Sequence, residues 1–192
     1  MYLKFTFSDC KVQTKSVTCS RILIRIETRG MEITRDLSVA FTGHRRYAGQ
    51  CEGALRAAVG QLYDRGFRCF WSGMAVGFDL AAAEAVLALR RERPEIRLHC
   101  AVPFPGQADR FPSEEKQRYA KILRQADDVA IVSERYDPRC YLRRDEWMVD
   151  RSSVVVAWFD GSKGGTRYTW EYARRCQAER MNLWSDGQGE LF

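Results

Sequence analysis

From Leu37 onward, short apolar runs alternate with longer segments whose apolar residues recur at helical spacing. Six runs predict strands, at Leu37–Thr42, Phe67–Trp71, Ile96–Val102, Asp128–Val132, Ser153–Phe159 and Met181–Trp184. The segments between them predict helices, at Gln50–Arg65, Phe78–Arg91, Ser113–Gln125, Leu142–Arg151 and Thr169–Glu179. Apolar strands that alternate with helices are typical of a parallel sheet covered on both faces. The sequence therefore predicts an α/β fold, a Rossmann-like three-layer sandwich with a mostly parallel central sheet.

This topology predicts where a ligand would bind. Crossovers between parallel strands are right-handed, so the carboxyl ends of all strands lie along one edge of the sheet. The loops expected at that edge are Thr42–Arg45, Ser72–Gly77, Pro103–Gln107, Ser133–Asp137 and Asp160–Thr166. Open α/β sheets bind their ligands at this edge.

Residues 1–36 differ from the rest of the chain. Thr, Ser, Lys and Arg alternate there with single apolar residues, and Arg21–Ile26 is at best a strand. We expect an N-terminal extension over residues 1–36, as a strand or hairpin, and one domain over residues 37–192.

Composition narrows the class of protein. Seven widely spaced cysteines with no C-x-x-C pair, and only two histidines, predict neither a disulfide framework nor a metal site. No apolar stretch approaches the length of about 20 residues that crosses a bilayer, and Met1–Lys11 lacks the pattern of a signal peptide. We therefore expect a cytoplasmic protein without a membrane partner. The net charge of +6 allows an anionic ligand such as a nucleotide or a nucleic acid.

The loop between the second strand and the second helix carries the most information. It reads Ser72-Gly73-Met74-Ala75-Val76-Gly77-Phe78-Asp79. Glycines allow close approach of a ligand, and the N–H groups at a helix start attract phosphate. The alternative is a glycine turn that only connects the two elements. Asp79 would repel a nearby phosphate, so a structural or ribose-binding role is favoured for it over a catalytic one.

Two further loops have the chemistry of a phosphate site. Asp160–Thr166 has two adjacent glycines and a hydroxyl before a helix, although it is not a Walker A loop and could be a simple surface turn. Thr42–Arg45 follows the first strand. Arg45 could clamp a phosphate, and His44 could act as a hydrogen-bond donor or as an acid or base, but the sequence supplies no partner carboxylate for it.

Taken together, these segments resemble the SLOG superfamily, a Rossmann-like group that includes LOG enzymes and the DNA-processing protein DprA, and most closely its YpsA-like branch. The resemblance runs from about Leu37 to Met181. It rests on Phe41–Arg45, Ser72–Asp79 with Ala82-Ala83-Glu84, Val102-Pro103-Phe104 with Gln107, Ala126-Asp127, Trp147–Asp150 with Ser152, and Asp160-Gly161 with Gly164-Gly165-Thr166.

The resemblance implies a nucleotide or nucleotide-derived ligand, such as an ADP-ribose-type molecule, at the strand ends. Loops and resemblance together predict ligand contacts at Gly43, His44, Arg45, Ser72, Gly73, Met74, Gly77, Asp79, Pro103, Phe104, Gln107, Asp160, Gly164, Gly165 and Thr166. One departure is that residues 143–146 read Arg-Arg-Asp-Glu where related sequences have an Arg-Asn pair. A contact made by that Asn is therefore not carried over.

Three functions remain open at this point. The first is a nucleotide sensor or regulatory domain, with room for a homodimer through its exposed helices. The second is a LOG-like hydrolase of the N-glycosidic bond in a nucleoside monophosphate. The glycine pattern of those enzymes is absent, Glu171 lies too far along, and Glu84, Asp79 or Asp160 would have to substitute, so no catalytic residue is assigned. The third is DprA-like binding of single-stranded DNA, for which a DprA-like His after Asp79 and an obvious aromatic groove are missing.

Overall fold

The computed structural model describes residues 34–185, and the strand expected at Arg21–Ile26 lies outside them. A short 3-10 turn at Arg35–Leu37 leads into the first strand. The strands are β1 (Ser38–Gly43), β2 (Cys69–Ser72), β3 (Arg97–Val102), β4 (Asp128–Ile131), β5 (Val154–Trp158) and β6 (Glu179–Asn182). The helices are α1 (Glu52–Asp64), α2 (Phe78–Arg90), α3 (Ser113–Gln125), α4 (Cys140–Asp150) and α5 (Gly165–Arg175).

The six strands form one sheet in the order β4-β3-β2-β1-β5-β6. Every neighbouring pair is parallel, so the predicted α/β Rossmann-like fold is confirmed and the sheet of the described chain is parallel throughout. The chain moves outward from β1 to β4, then returns to place β5 on the other side of β1. The strand order therefore reverses between β1 and β5.

Alternation along the strands separates two core layers. Val39 and Phe41 of β1 belong to a large cluster with apolar residues of α1, α2 and α3, including Leu55, Val86 and Ile122. On the opposite face, Ala40 of β1 packs with Trp71 of β2, Met148 of α4 and Ala173 of α5. The four central strands β1, β2, β3 and β5 are mostly apolar and buried, as predicted for a sheet covered on both faces, and the edge strand β6 is polar and partly exposed.

Two element boundaries near the C-terminus differ from the sequence prediction. The last helix begins at Gly165 and ends at Arg175, and was predicted at Thr169–Glu179. It ends early because Gln177 adopts a left-handed backbone with φ of 56°. The last strand consequently begins at Glu179, two residues before the predicted Met181, and pairs with β5 from Val154 to Ala157. The earlier helix start brings Gly165 and Thr166 into its first turn.

No helix within the described part of the chain is long and apolar enough to cross a membrane.

Candidate functional site

A cleft of about 370 Å³ opens where the strand order reverses between β1 and β5. We call it the switch-point cleft. Its lining residues are Thr42, Gly43, His44, Arg45, Ala75, Asp79, Tyr141, Arg144, Asp145, Gly165 and Thr166. Six of the predicted ligand contacts therefore meet here, from the loops after β1 and β5 and from the start of α2. Loops diverge at such a reversal, which is why it is the preferred ligand position of open α/β sheets.

His44 and Asp160 join the two loops that flank this cleft. His44 Nε2 lies 2.7 Å from Asp160 Oδ1 and 3.2 Å from the Asp160 backbone nitrogen. In the longer contact the Asp160 backbone N–H donates to Nε2. Hydrogen bonds from Ser162 and the nearby charges of His44 and Arg46 hold the pKa of Asp160 well below its usual range. The partner carboxylate that the sequence did not reveal for His44 is therefore supplied by the loop after β5.

The N-terminus of α5 forms one wall of the switch-point cleft. Gly164 precedes the helix with φ of 150°, and no side chain caps the first turn. A side chain added at Gly165 would meet no atom within 4 Å. Because the first N–H groups of a helix lack partners within it, this open and uncapped turn is suited to an anion.

The loop at residues 72–79 is organised differently from the expectation. Three of its N–H groups are already engaged within the protein. Met74 N donates to Ser72 Oγ (3.2 Å) and Ala75 N donates to Asp79 Oδ2 (3.3 Å). Phe78 N donates to the His44 carbonyl at 3.4 Å. The loop at residues 72–79 therefore has a structural role beside the cleft. Of the helices α2 and α5, α5 has the more open first turn.

Gln107 holds the same loop from the opposite side. Its buried Nε2 donates to the carbonyls of Gly73 and Met74, each at 3.1 Å. Ser72, Gly73, Met74, Pro103 and Gln107 are absent from the lining of the switch-point cleft. Direct ligand contacts by these five residues remain predictions, and the contacts described here give them a supporting position.

Two glycines allow the loops to pack closely. A Cβ at Gly43 would lie 2.5 Å from Phe78 Cβ, and one at Gly77 would lie 2.5 Å from the Arg45 carbonyl oxygen. Gly77 also has a left-handed backbone, with φ of 89°. Glycine is required at Gly77 for both reasons, and it sets the start of α2 directly against residues 44–45.

A buried charged cluster lies at the base of the switch-point cleft. Arg144 Nε donates to Asp145 Oδ1 at 2.7 Å, and Thr169 Oγ1 donates to Asp145 Oδ2 at 3.0 Å. Arg144 also donates to the Gly73 carbonyl, and its Nη1 lies 4.0 Å from Asp79 Oδ2. The sequence prediction missed Arg144 and Asp145. The signal available was the departure noted at residues 143–146, where Arg144 and Asp145 form an ion pair.

The buried charged cluster contains two carboxyl groups, of Asp79 and Asp145, and one arginine, Arg144. Burial raises the pKa of Asp79 to about 7, although the charge of Arg144 opposes the change. Burial also raises the pKa of Asp145. Near neutral pH, Asp79 is therefore partly protonated and repels an anion less than an ordinary carboxylate would. A carboxyl group with a pKa near 7 at a cleft is also suited to acid–base chemistry.

The remaining sequence candidates lie elsewhere. Glu84 pairs with Arg118 at 2.7 Å, and Glu171 pairs with Arg174 at 2.9 Å. Neither glutamate lines the switch-point cleft. Phe104 is outside the lining too, but its ring centre lies 5.8 Å from that of Tyr141, which is part of it. Within residues 34–185, no group of three or more His, Cys, Asp or Glu side chains is placed to hold a metal ion.

The fold defines a Rossmann-like protein with a cleft at the strand-order reversal. The YpsA family model, described as the YspA SLOG family, matches residues 35–185, so the chain belongs to this family. The predicted SLOG membership and YpsA-like branch are thereby confirmed.

Relatives of similar sequence agree with this assignment. The SPbeta prophage-derived protein YoqJ of Bacillus subtilis is 33% identical over 118 residues, which cover 55% of this chain and 69% of YoqJ. A UPF0398 protein of Halalkalibacterium halodurans is 29% identical over 129 residues, covering 66% of this chain and 68% of that protein.

Solved structures of DprA share the fold. DprA from Streptococcus pneumoniae superposes with a TM-score of 0.59 at 17% identity, over 78% of this chain and 51% of that one. This chain thus spans about half the length of that DprA. DprA from Helicobacter pylori, whose structure describes a single-stranded DNA binding mode, gives a TM-score of 0.58 at 17% identity. That match covers 83% of this chain and 79% of the other.

Proposed function

We propose that this protein binds a nucleotide or nucleotide derivative in the switch-point cleft, with the ligand's phosphate at the start of α5. The observation that carries the proposal is the uncapped first turn at Gly164–Thr166, which opens on the cleft that Arg45 also lines. Backbone N–H groups at a helix start and an arginine fork both bind phosphate well. A sensing or regulatory role is what the family resemblance implies.

The electrostatics of the cleft favour an anion. Arg144 and Asp145 neutralise each other, and burial raises the pKa of Asp79 to about 7, so that its negative charge is reduced near neutral pH. Arg45 is exposed at the rim and adds a positive charge. The volume of about 370 Å³ lies within the range of small-ligand sites, about 300–1,000 Å³.

Thermal unfolding with a ligand panel tests the proposal. The panel contains inorganic phosphate, nucleoside monophosphates, dinucleotides, ADP-ribose and a short single-stranded oligonucleotide. A ligand at a hundred times its Kd stabilises the folded state by about 2.7 kcal/mol, which raises the melting temperature by several degrees. A panel without any shift at saturating concentrations would contradict the proposal.

Two variants that each add a carboxylate to the first turn of a helix test where the ligand binds. Gly165→Asp puts a carboxylate into the cleft, and Gly53→Asp puts one into the first turn of α1, outside the cleft. Neither glycine has an atom within 4 Å of a new Cβ, and an acidic residue in a first turn favours the helix. Both variants should therefore fold. We expect Gly165→Asp to abolish the ligand shift and Gly53→Asp to keep it.

Single-stranded DNA is a second candidate ligand. It is supported by the fold likeness to DprA from Helicobacter pylori, by the net charge of +6 and by three aromatic rings beside the cleft. Binding to several phosphates weakens steeply as salt concentration rises, and binding to one phosphate weakens little. An oligonucleotide affinity with a steep salt dependence, and no shift with mononucleotides, would favour this candidate over the first.

Turnover is tested in the same samples. A LOG-like hydrolase would release free base from a nucleoside monophosphate, and Asp79, with its pKa of about 7, is the cleft carboxyl group suited to that chemistry. Chromatography of the incubated nucleotides distinguishes hydrolysis from binding alone.

A further inference from the structure

Three aromatic rings lie together beside the switch-point cleft. Phe104 follows β3, Tyr136 lies in the loop after β4, and Tyr141 is in the first turn of α4. Their ring centres are 5.3 Å (Phe104 to Tyr136), 5.8 Å (Phe104 to Tyr141) and 6.5 Å (Tyr136 to Tyr141) apart. We call these residues the aromatic platform. Tyr141 also lines the cleft, so the platform and the cleft are continuous.

The platform leaves aromatic surface uncovered. Tyr136 is 61% exposed, which makes it one of the most exposed large apolar side chains among residues 34–185. The three rings meet edge to face, with interplanar angles of 72°, 83° and 69°, and none is stacked on another. The ring of Tyr136 is therefore available to a planar partner from solvent.

Hydrogen bonds join the loop that carries Tyr136 to α4. Arg143 donates to both carboxylate oxygens of Asp137 and to Ser133 Oγ, the last at 2.9 Å. The Arg139 backbone nitrogen donates to Asp137 Oδ1 at 2.9 Å. These bonds from Arg143 and Arg139 hold the pKa of Asp137 below its usual range. Because these bonds order the loop that carries Tyr136, the loop loses little conformational entropy when a ligand stacks on the ring.

Positive charge surrounds the platform. The Arg45 guanidinium lies 5.6 Å from the centre of the Tyr141 ring, and the exposed Arg135 and Arg139 flank the Tyr136 loop in sequence. Asp137 is paired with Arg143, which leaves Glu134 as the exposed acidic residue of this loop. An aromatic face with arginines around it matches a ligand that is planar and aromatic at one end and anionic at the other.

We propose that Tyr136, supported by Phe104 and Tyr141, stacks against a nucleobase of a ligand whose phosphate occupies the switch-point cleft. The inference rests on the proposed function, because the phosphate anchors the ligand beside the platform. A free nucleotide and one unit of a single strand share this chemistry, and the choice of probe ligands distinguishes them.

The test compares three probe ligands on four proteins. The ligands are AMP, ribose 5-phosphate, which lacks the base, and a short oligothymidylate. The proteins are the wild type, Tyr136→Ala, Tyr136→Phe and the control Ile131→Ala, which removes another exposed apolar side chain, 52% exposed, outside the platform. Affinities are measured by calorimetry, and melting temperatures without ligand show whether each variant is folded.

We expect Tyr136→Ala to weaken binding of a base-containing ligand by about five- to a hundredfold, as for the loss of other base-stacking aromatic residues. Tyr136→Phe keeps the ring and should retain most of the affinity, and Ile131→Ala should match the wild type. Ribose 5-phosphate should bind equally to all four proteins. A loss confined to AMP identifies a free nucleotide, and a loss confined to oligothymidylate identifies a nucleotide unit of a single strand.

Two results would overturn the inference and leave the proposed function standing. One is unchanged affinity of Tyr136→Ala for both base-containing ligands while Gly165→Asp abolishes their binding. The other is an equal loss for all three ligands, because this would assign Tyr136 a role in shaping the cleft. If the wild type binds none of the three and no ligand of the thermal-unfolding panel, the proposed function and the stacking site both fail.

Discussion

His44 Nε2 lies 2.7 Å from Asp160 Oδ1, although 116 residues separate the two positions in the chain. The contact joins the loop after β1 to the loop after β5 at the point where the strand order reverses. It links the loops on the two sides of the switch-point cleft within the protein itself. Preorganisation of this kind lowers the entropic cost of binding.

If this contact couples the two loops, substitutions at its ends are not additive. We expect His44→Asn and Asp160→Asn each to lower the melting temperature, and the double variant to lose less than the sum of both. Differential scanning calorimetry of the four proteins measures the coupling. Strict additivity would show that the pair contributes nothing to holding the loops together.

The buried amide of Gln107 supports the loop at residues 72–79. Gln107→Glu replaces the Nε2 donor, which bonds the carbonyls of Gly73 and Met74, with a carboxylate oxygen that cannot donate when ionised. Leaving buried acceptors unpaired costs about 1–3 kcal/mol of unfolding free energy. Urea unfolding measures this loss. Gln61→Glu, on the exposed face of α1, is the matched control and should stay within about 0.5 kcal/mol of the wild type.

Gly73 has no room for a side chain. A Cβ there would lie 2.2 Å from Arg144 Nη1 and 2.8 Å from Asp79 Oδ2, within the buried charged cluster. We expect Gly73→Ala to lower the free energy of unfolding by about 1–3 kcal/mol through overpacking. Gly60→Ala in α1 meets nothing within 4 Å and should raise it by up to about 1 kcal/mol through helix propensity. If both substitutions change the free energy of unfolding equally, the buried charged cluster can rearrange to accept a side chain at position 73.

Asp79 makes stability depend on pH. It is 4% exposed, and burial raises its pKa from 3.8 to about 7, so the folded protein keeps a proton that the unfolded chain releases. The free energy of unfolding therefore falls as pH rises from about 4 to about 7, with an upper limit of about 4 kcal/mol from this group.

The Asp79→Asn variant isolates this contribution. Asparagine can still accept the hydrogen bond from Ala75 N but cannot ionise. We expect the variant to gain stability relative to the wild type as pH rises through this window, measured by urea unfolding at a series of pH values. A stability difference that does not change with pH would mean that Asp79 is not held protonated in the folded state. The pKa of Asp145 is also raised, so the variant retains part of the pH dependence.

Most of the fold and part of the candidate site could be predicted from the sequence. Strand and helix periodicity sufficed for the α/β fold, because a sheet buried on both faces must consist of apolar runs. The last helix was misplaced because glycine has a low helix propensity, which made Gly165 look like part of a loop. At a helix start this cost is small, and the open turn at Gly165 suits a ligand.

The buried charged cluster could not be predicted from spacing. Arg144 and Asp145 are adjacent charged residues, a pattern that usually indicates a solvated helix face, and here both are buried. Only the tertiary fold brings Asp79 from α2 within 4.0 Å of Arg144. The pairing of His44 with Asp160 could not be predicted for the same reason. The two loops are distant in the sequence and become neighbours only through the strand order.

The central claim is that a phosphate-bearing ligand binds in the switch-point cleft, and amide NMR locates such binding directly. With backbone resonances assigned, the ligand identified by thermal unfolding is titrated into the ¹⁵N-labelled protein. We predict the largest amide shift changes at Gly43–Arg45 and Gly164–Thr166, on the two sides of the cleft. Saturable changes confined to the groove between α1 and α2, lined by Glu52, Arg56 and Glu84, would contradict the claim.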